Sequence, residues 1–336
     1  MSSVIFSASE ESFPLAVREL REEFGRRLPI ERLGPDIGTA AGLDVAEVAE
    51  RCRRRPIVFV KHLTAEVARL DPGAALSTVA AAAVEDLPPE PAVAVQAWVS
   101  GRSPRGSADF AAAISDAVRG AGLVPARAGQ DYVISCCITE TAILIGHNRA
   151  SLSIADWPGG RVRLAKARDQ VSRAGFKLEE LLVGGSLALP AGGTALDLGA
   201  APGGWTRILR RAGLDVVAVD PGDLDPRLAG DPGVRHVRTT AHEFLRSNRR
   251  SFDVAVNDLR MDATLSAHLM VDAAAHLRPG APAVLTLKCG THRVLELVER
   301  CLSVLRTRYE LQLVRQLQHN RHEVTVVLRH PGTAAS

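Results

Sequence analysis

Ala195-Leu196-Asp197-Leu198-Gly199-Ala200-Ala201-Pro202-Gly203-Gly204-Trp205 reads as a buried strand that runs into a glycine-rich turn and then a helix. Small residues in such a turn let the backbone approach a ligand. Gly203 and Gly204 are expected to leave space above the helix start, where free N–H groups favour negative charge. The spacing departs from the dinucleotide pattern G-x-G-x-x-G. The next apolar run, Asp215 to Val219, ends in Asp220, about twenty residues past the loop, where a nucleoside-binding sheet offers a carboxylate to ribose hydroxyls. A third run, Phe252 to Asn257, stops at Asp258, and a fourth, Ala283 to Leu287, stops at Lys288. Ligands of open α/β sheets bind outside the carboxyl ends of the strands, so Asp197, Asp220, Asp258 and Lys288 are expected to face one crevice.

Two further segments frame this half. Ser172-Arg173-Ala174-Gly175-Phe176-Lys177-Leu178 lies upstream, and Arg321-His322-Glu323-Val324-Thr325-Val326-Val327 lies downstream. Together with the D-x-G-x-x-P-G-G-W loop they resemble the FtsJ-like ribose 2′-O-methyltransferases, over residues 165 to 330. The resemblance implies a Rossmann-like, doubly wound methyltransferase sheet and S-adenosylmethionine as cofactor. It implies the catalytic tetrad Lys177, Asp258, Lys288 and Glu323. For the cofactor it implies Ser172, Asp197, Gly199, Ala201, Pro202, Gly203, Gly204, Trp205, Asp220, Thr240 and, again, Asp258; it implies no metal. Within the family, the segment Asn320 to Val326 is most similar to that of members that methylate a cytidine ribose of 23S ribosomal RNA. One departure stands out: where those members carry Arg-Glu-Asp, whose Asp meets the adenine amino group, this chain has Arg238-Thr239-Thr240.

Methyl transfer from a sulfonium to a hydroxyl is an in-line displacement that needs alignment and removal of a proton. The resemblance implies that Lys288 accepts or stabilises that proton, with Asp258 orienting it and Lys177 and Glu323 holding the hydroxyl. Desolvation and a neighbouring cation lower a lysine pKa, whereas carboxylates raise it. Sequence alone leaves open which wins.

Residues 1 to 160 show alternating elements without a catalytic constellation. Ser2–Ala8, Ile57–Leu63, Val93–Val99 and Tyr132–Ile138 read as strands, with Thr141–Gly146 as a hairpin partner. Ser12–Phe24 and Ala108–Ala121 read as helices, and Pro88, Pro89 and Pro91 as a loop after the run Ala80–Ala83. This order, closing on Leu152-Ser153-Ile154-Ala155-Asp156-Trp157-Pro158-Gly159-Gly160, resembles a ferredoxin-like module followed by a THUMP domain, an RNA-binding appendage. The expected division is therefore α+β modules at 1–55 (ferredoxin-like) and 56–160 (THUMP-like), then the methyltransferase domain at 161–336.

Composition suits globular domains, with 46% apolar and 24% charged residues. The absence of an eighteen-residue apolar run and of a basic-then-apolar start predicts a cytoplasmic protein without membrane association. Cys52, Cys136, Cys137, Cys289 and Cys301 form no C-x-x-C pair and read as reduced thiols. A net charge of +3 does not by itself demand nucleic acid. Two basic runs point to an RNA partner, ribosomal by the resemblance: Arg51, Arg53, Arg54 and Arg55, and then Arg161, Arg163, Lys166, Arg168 and Arg173. Thirteen aromatic residues are too few for a stacking platform, so recognition is expected to rest on backbone and shape. Two alternatives compete: an RNA-binding protein that keeps the methyltransferase fold as an inactive scaffold, and a methyltransferase of small nucleosides or natural products.

Overall fold

The computed structural model describes residues 2–55, 57–89, 92–126, 129–164 and 170–332. Pro91, Lys166, Arg168 and the side chains of Arg53 and Arg54 lie outside the described residues. The chain divides into two compact units, Met1–Val162 and Arg163–Ser336.

The first unit is built on one eight-stranded sheet. Its strands are β1 (Ser3–Ser7), β2 (Ile30–Arg32), β3 (Ile37–Ala41), β4 (His62–Leu70), β5 (Ala92–Val99), β6 (Val124–Pro125), β7 (Tyr132–Ile138) and β8 (Ile143–Arg149), in the order β2-β3-β1-β4-β8-β7-β5-β6. Strand β4 pairs with β1 on one side and β8 on the other. The modules expected at 1–55 and 56–160 therefore share a single continuous sheet. Its helices are α1 (Phe13–Phe24), α2 (Val45–Arg54), α3 (Leu76–Val84) and α4 (Ser107–Gly120). Helices α3 and α4 bury Val79, Ala83, Phe110, Ile114 and Val118 against Ile134, Ile143 and Ile145, the apolar-stripe-on-pleat arrangement that amphipathic periodicity produces.

The strand expected over Ile57–Leu63 starts only at His62. The Glu19 carboxylate of α1 accepts from the amides of Val58 (2.6 Å) and Phe59 (3.0 Å), which leaves them unavailable to a sheet ladder. At the other end of the unit, Gly159 and Gly160 lie directly on the sheet. A Cβ on Gly159 would sit 2.9 Å from Trp98 Nε1, and one on Gly160 2.2 Å from the Lys61 carbonyl oxygen.

The second unit is a Rossmann-like sheet. Its elements are α5 (Gly175–Val183), β9 (Thr194–Leu198), α6 (Gly204–Arg211), β10 (Asp215–Val219), α7 (Pro226–Ala229), β11 (Val234–Val237), α8 (Ala241–Ser247), β12 (Val254–Asn257), α9 (Ala263–Ala274), β13 (Pro282–Lys288), α10 (Val294–Leu305), β14 (Glu310–Arg315) and β15 (Glu323–Arg329). The strand order is β11-β10-β9-β12-β13-β15-β14. Strands β11 to β13 pair in parallel, and β15 inserts antiparallel between β13 and β14. The order reverses between β9 and β12, the switch point outside which such sheets bind ligands. Buried on both faces, the central strands are continuous apolar runs rather than alternating ones. Leu178, Leu181, Trp205 and Leu209 of α5 and α6 close one face over Val216, Val254 and Val284. Among the described residues no helix is long and apolar enough to cross a membrane.

Candidate active site

Four charged side chains close a ring at the carboxyl ends of the strands. Lys177 comes from α5, Asp258 follows β12, and Lys288 ends β13. Glu323 opens β15; because β15 runs antiparallel to β13, its first residue pairs with the last of β13, Lys288↔Glu323. Topology thus brings together positions far apart in sequence. The Lys177 ammonium donates to Asp258 Oδ1 (2.9 Å) and Oδ2 (3.2 Å) and pairs with Glu323 Oε2 at 2.7 Å. The Lys288 ammonium donates to Asp258 Oδ1 and to Glu323 Oε1 (2.9 Å). Two cations alternate with two anions, and each carboxylate serves both lysines.

Burial is the largest single influence on Lys288 and would lower its pKa, but Asp258 and Glu323 together outweigh it and hold the ammonium above the ordinary lysine value. Glu323 mirrors this: burial pushes its carboxyl up, and the pull of Lys177 and Lys288 brings it below the ordinary value. The acids win, so Lys288 is a cation. Cys289, next in the chain, is buried and its thiol is pushed up to about 12, chiefly by desolvation, which fits a packing role.

The glycine loop is shaped first by the protein's own packing. A Cβ on Gly203, whose φ is +116°, would lie 2.1 Å from Leu228 Cδ1; one on Gly204 would lie 2.2 Å from Ser172 Oγ, and one on Gly199 2.8 Å from the Leu259 side chain. The space expected above Gly203 and Gly204 is thus occupied by Leu228 and Ser172. Asp197 is fully buried, and its carboxylate accepts the Thr206 hydroxyl at 2.6 Å, tying β9 to the first turn of α6. Trp205 is buried too, its indole N–H donating to the Ala174 carbonyl at 2.6 Å. Thr240 caps α8 in a capping box with Glu243, so its hydroxyl is already engaged by the protein. Asp220 ends β10 and accepts from the amides of Ala201 (3.2 Å) and Gly222 (2.7 Å), which fixes the Ala201-Pro202 turn beside it.

Other groups remain open. Ser172 Oγ is buried without a partner beside the α6 start. The opening amides of an α-helix have no intrahelical acceptor, which leaves those of Gly204 and Trp205 for a ligand. An orphaned hydroxyl and helix-opening amides on one side, with a strand-end carboxylate on the other, fit a molecule with an anionic end and a ribose. Among the described residues no group of His, Cys, Asp or Glu could hold a metal ion.

A second layer, missed in sequence, sets the geometry of the ring. Glu180, one turn after Lys177 on α5 and itself buried, accepts from the amides of Gln318 (2.8 Å) and His319 (3.3 Å) and from His319 Nδ1 (2.8 Å). Phe176 stacks on His319 with centroids 4.8 Å apart. Asn320 accepts from the Leu317 amide and the Thr325 hydroxyl, and its amide group reaches Glu323 Oε2 at 3.4 Å. The only sequence signal for this layer was the i, i+3 spacing of Lys177 and Glu180 and the closeness of Asn320 to Glu323.

Of the basic runs, Arg51 and Arg55 both pair with Glu23, and Arg161 pairs with Asp36 and donates to the Val99 carbonyl at 2.9 Å. These three guanidiniums brace the first unit.

Residues 170–327 match the FtsJ-like methyltransferase family. The chain is 42% identical over 178 residues to the ribosomal RNA large subunit methyltransferase M of Halorhodospira halophila, covering 52% of this chain and 51% of that protein. It is 40% identical over 200 residues to the protein of the same name from Methylococcus capsulatus, with 56% and 55% covered. With that of Xylella fastidiosa it is 32% identical over 232 residues, with 65% and 64% covered. The chain thus spans about half to two thirds of the length of these relatives. With the fold, the ring and the loop in agreement with that match, residues 170–327 are an FtsJ-like methyltransferase domain.

Proposed function

We propose that this chain is an S-adenosylmethionine-dependent ribose 2′-O-methyltransferase of ribosomal RNA, whose second unit performs the chemistry and whose first unit, a THUMP-like module, holds the RNA. The observation that carries the reading is the closed ring of Lys177, Asp258, Lys288 and Glu323. An inactive scaffold has no use for four buried or half-buried charges, since a buried ionic network costs desolvation that apolar packing avoids. The relatives carry a ribosomal RNA name, and the closing segment of this chain favours a cytidine of the large-subunit RNA.

Bound S-adenosylmethionine would supply an electrophilic methyl group on a sulfonium. Ser172 Oγ and the amides of Gly204 and Trp205 would hold its anionic end, and Asp220 its ribose hydroxyls. Asp197, Gly199, Ala201, Pro202 and Gly203 shape the loop between them, and Thr240 borders the same end of the sheet at the start of α8.

The ring's work is then positional and electrostatic. Lys177 and Lys288 aim two ammonium groups at the acceptor oxygen, and Asp258 and Glu323 hold both in place. Because Lys288 is held in its charged form, it steadies negative charge on the oxygen rather than taking the proton. A hydroxyl that has begun to bond carbon is far more acidic than a free one, so a carboxylate of the ring or water suffices as acceptor. Transfer of labelled methyl from S-adenosylmethionine to large-subunit ribosomal RNA, beside free nucleosides, tests the proposal. Methyl on nucleosides alone, or cofactor binding without transfer to either, overturns it.

A further inference from the structure

The second unit has a basic cleft at the end of the sheet opposite the ring. It encloses about 460 Å³ between α8, the end of α9, the turn from α10 to β14 and the residue that follows β15. His242 and Arg246 line it from one face of α8, as their i, i+4 spacing requires. His276, Arg308 and His330 line it from the other elements, and Asp272 supplies the one carboxylate.

Several of these groups lack a protein partner. Arg210, Arg227, Arg238, Arg278 and Arg306 of this unit each pair with a carboxylate. Among the described residues Arg246 and Arg308 pair with none, although Asp272 lines the same cleft. His330 Nδ1 is buried without a hydrogen-bond partner, and its ring stands edge-on to Tyr309 with centroids 6.2 Å apart. His276 Nδ1 meets the Asn248 side-chain amide at 3.1 Å; accepting that N–H places the ring proton on Nε2, a further donor. The imidazoles do not converge closely enough to hold a metal ion. Two unpaired guanidiniums suited to a bidentate grip, with imidazoles beside them in a concave setting, call for a phosphate.

We infer that this cleft holds a backbone phosphate of the RNA substrate, an inference that rests on the function proposed above. Strand β15 begins at Glu323 of the ring and ends at Arg329, beside His330 of the cleft. Seven residues at about 3.3 Å each set the two sites roughly 23 Å apart. That span suits a folded RNA gripped at a second point, whereas a small phosphate ligand so far from the ring would have no part in transfer.

The test is the double variant Arg246→Ala/Arg308→Ala in the full chain. Both residues are exposed, and their side chains make no hydrogen bond or ion pair among the described residues, so their loss removes none. Its affinity for large-subunit ribosomal RNA is expected to fall, and the slope of log affinity against log salt to become shallower by about 0.7 to 0.9 per lost phosphate contact. KM for RNA should rise while kcat at saturating RNA and the Kd for S-adenosylmethionine hold. An unchanged salt slope and KM would overturn the inference. So would displacement of inorganic phosphate from the wild type by neither intact RNA nor its fragments, which would make the cleft a free-phosphate site. RNA affinity is read without turnover, so a protein that binds RNA through Arg246 and Arg308 but transfers no methyl would count against the proposed activity and not against the cleft.

Discussion

The His319 imidazole donates from Nδ1 to Glu180 Oε2 at 2.8 Å, which ties the β14–β15 loop to the helix that carries Lys177. A carboxylate can only accept, so the direction of that bond is fixed. Because the loop delivers Glu323 and the helix delivers Lys177, Glu180 sets the separation of two ring members without belonging to the ring. Glu180→Ala strands three donors and is expected to cost about 1–3 kcal/mol of stability. It should lower kcat while leaving the Kd for S-adenosylmethionine in place. Glu180→Gln, which keeps one acceptor oxygen, should recover part of the rate. A Glu180→Ala enzyme with wild-type kcat would remove the positioning role.

Lys288→Ala is expected to abolish methyl transfer with little change in cofactor affinity, since its ammonium donates to Asp258 and Glu323 and the proposed mechanism uses it at the acceptor. Its protonation gives a second, independent readout. A lysine held above its ordinary value stays charged through neutral pH and loses its proton only in strong alkali. The wild-type rate should therefore show no limb that rises between about pH 7 and 9. Such a limb would mean that Lys288 acts as a base.

Much of this site was legible in sequence because each ring member lies at an end of a strand or in the first turn of a helix, with a distinct local pattern. The apolar runs before Asp258 and Lys288 end in the structure at Asn257 and Lys288 themselves. Glu180 was not legible as a clamp, because its partners at 318 and 319 arrive from across the fold and nothing local marks them. Burial also divided the acids in a way that sequence position could not. Asp197 and Asp220 both belong to strand ends of one sheet, yet one faces Thr206 in the interior while the other borders the loop. In the first unit the strand expected from Ile57 failed for a similar reason, since Glu19 takes the amides a strand would have used.

Asp220→Ala should weaken S-adenosylmethionine binding by roughly 1.5–3 kcal/mol, the range for hydrogen bonds to a charged group. Two effects contribute: ribose hydroxyls lose their acceptor, and the amides of Ala201 and Gly222 lose theirs. Asp220→Asn separates them, because its amide oxygen can still accept from Gly222 while the charge is gone. Calorimetry should rank wild type above Asn above Ala. An unchanged Kd in the alanine variant would move the ribose subsite elsewhere.

Asp197 offers a prediction that turns on sign. Burial raises its carboxyl from 3.8 to about 7; the Thr206 hydroxyl opposes the shift, and the charges of Asp258 and Asp220 add to it. Between those two values the folded chain holds a proton that the unfolded chain has released. Its contribution to stability therefore falls as pH rises from 3.8 through about 7, and the full cost of a buried charge is reached above that. Asp197→Asn cannot ionise, and its amide oxygen can still accept from the Thr206 hydroxyl. The variant should thus gain on the wild type as pH rises, whatever its absolute stability at pH 5. Glu19, also raised to about 7, and His62, lowered to about 4, titrate in both proteins and cancel in the difference. Thermal unfolding of the two proteins without cofactor at pH 5, 6, 7 and 8 reads that difference directly. A gap in Tm that stays constant over this range would show that Asp197 is ionised in the folded chain throughout.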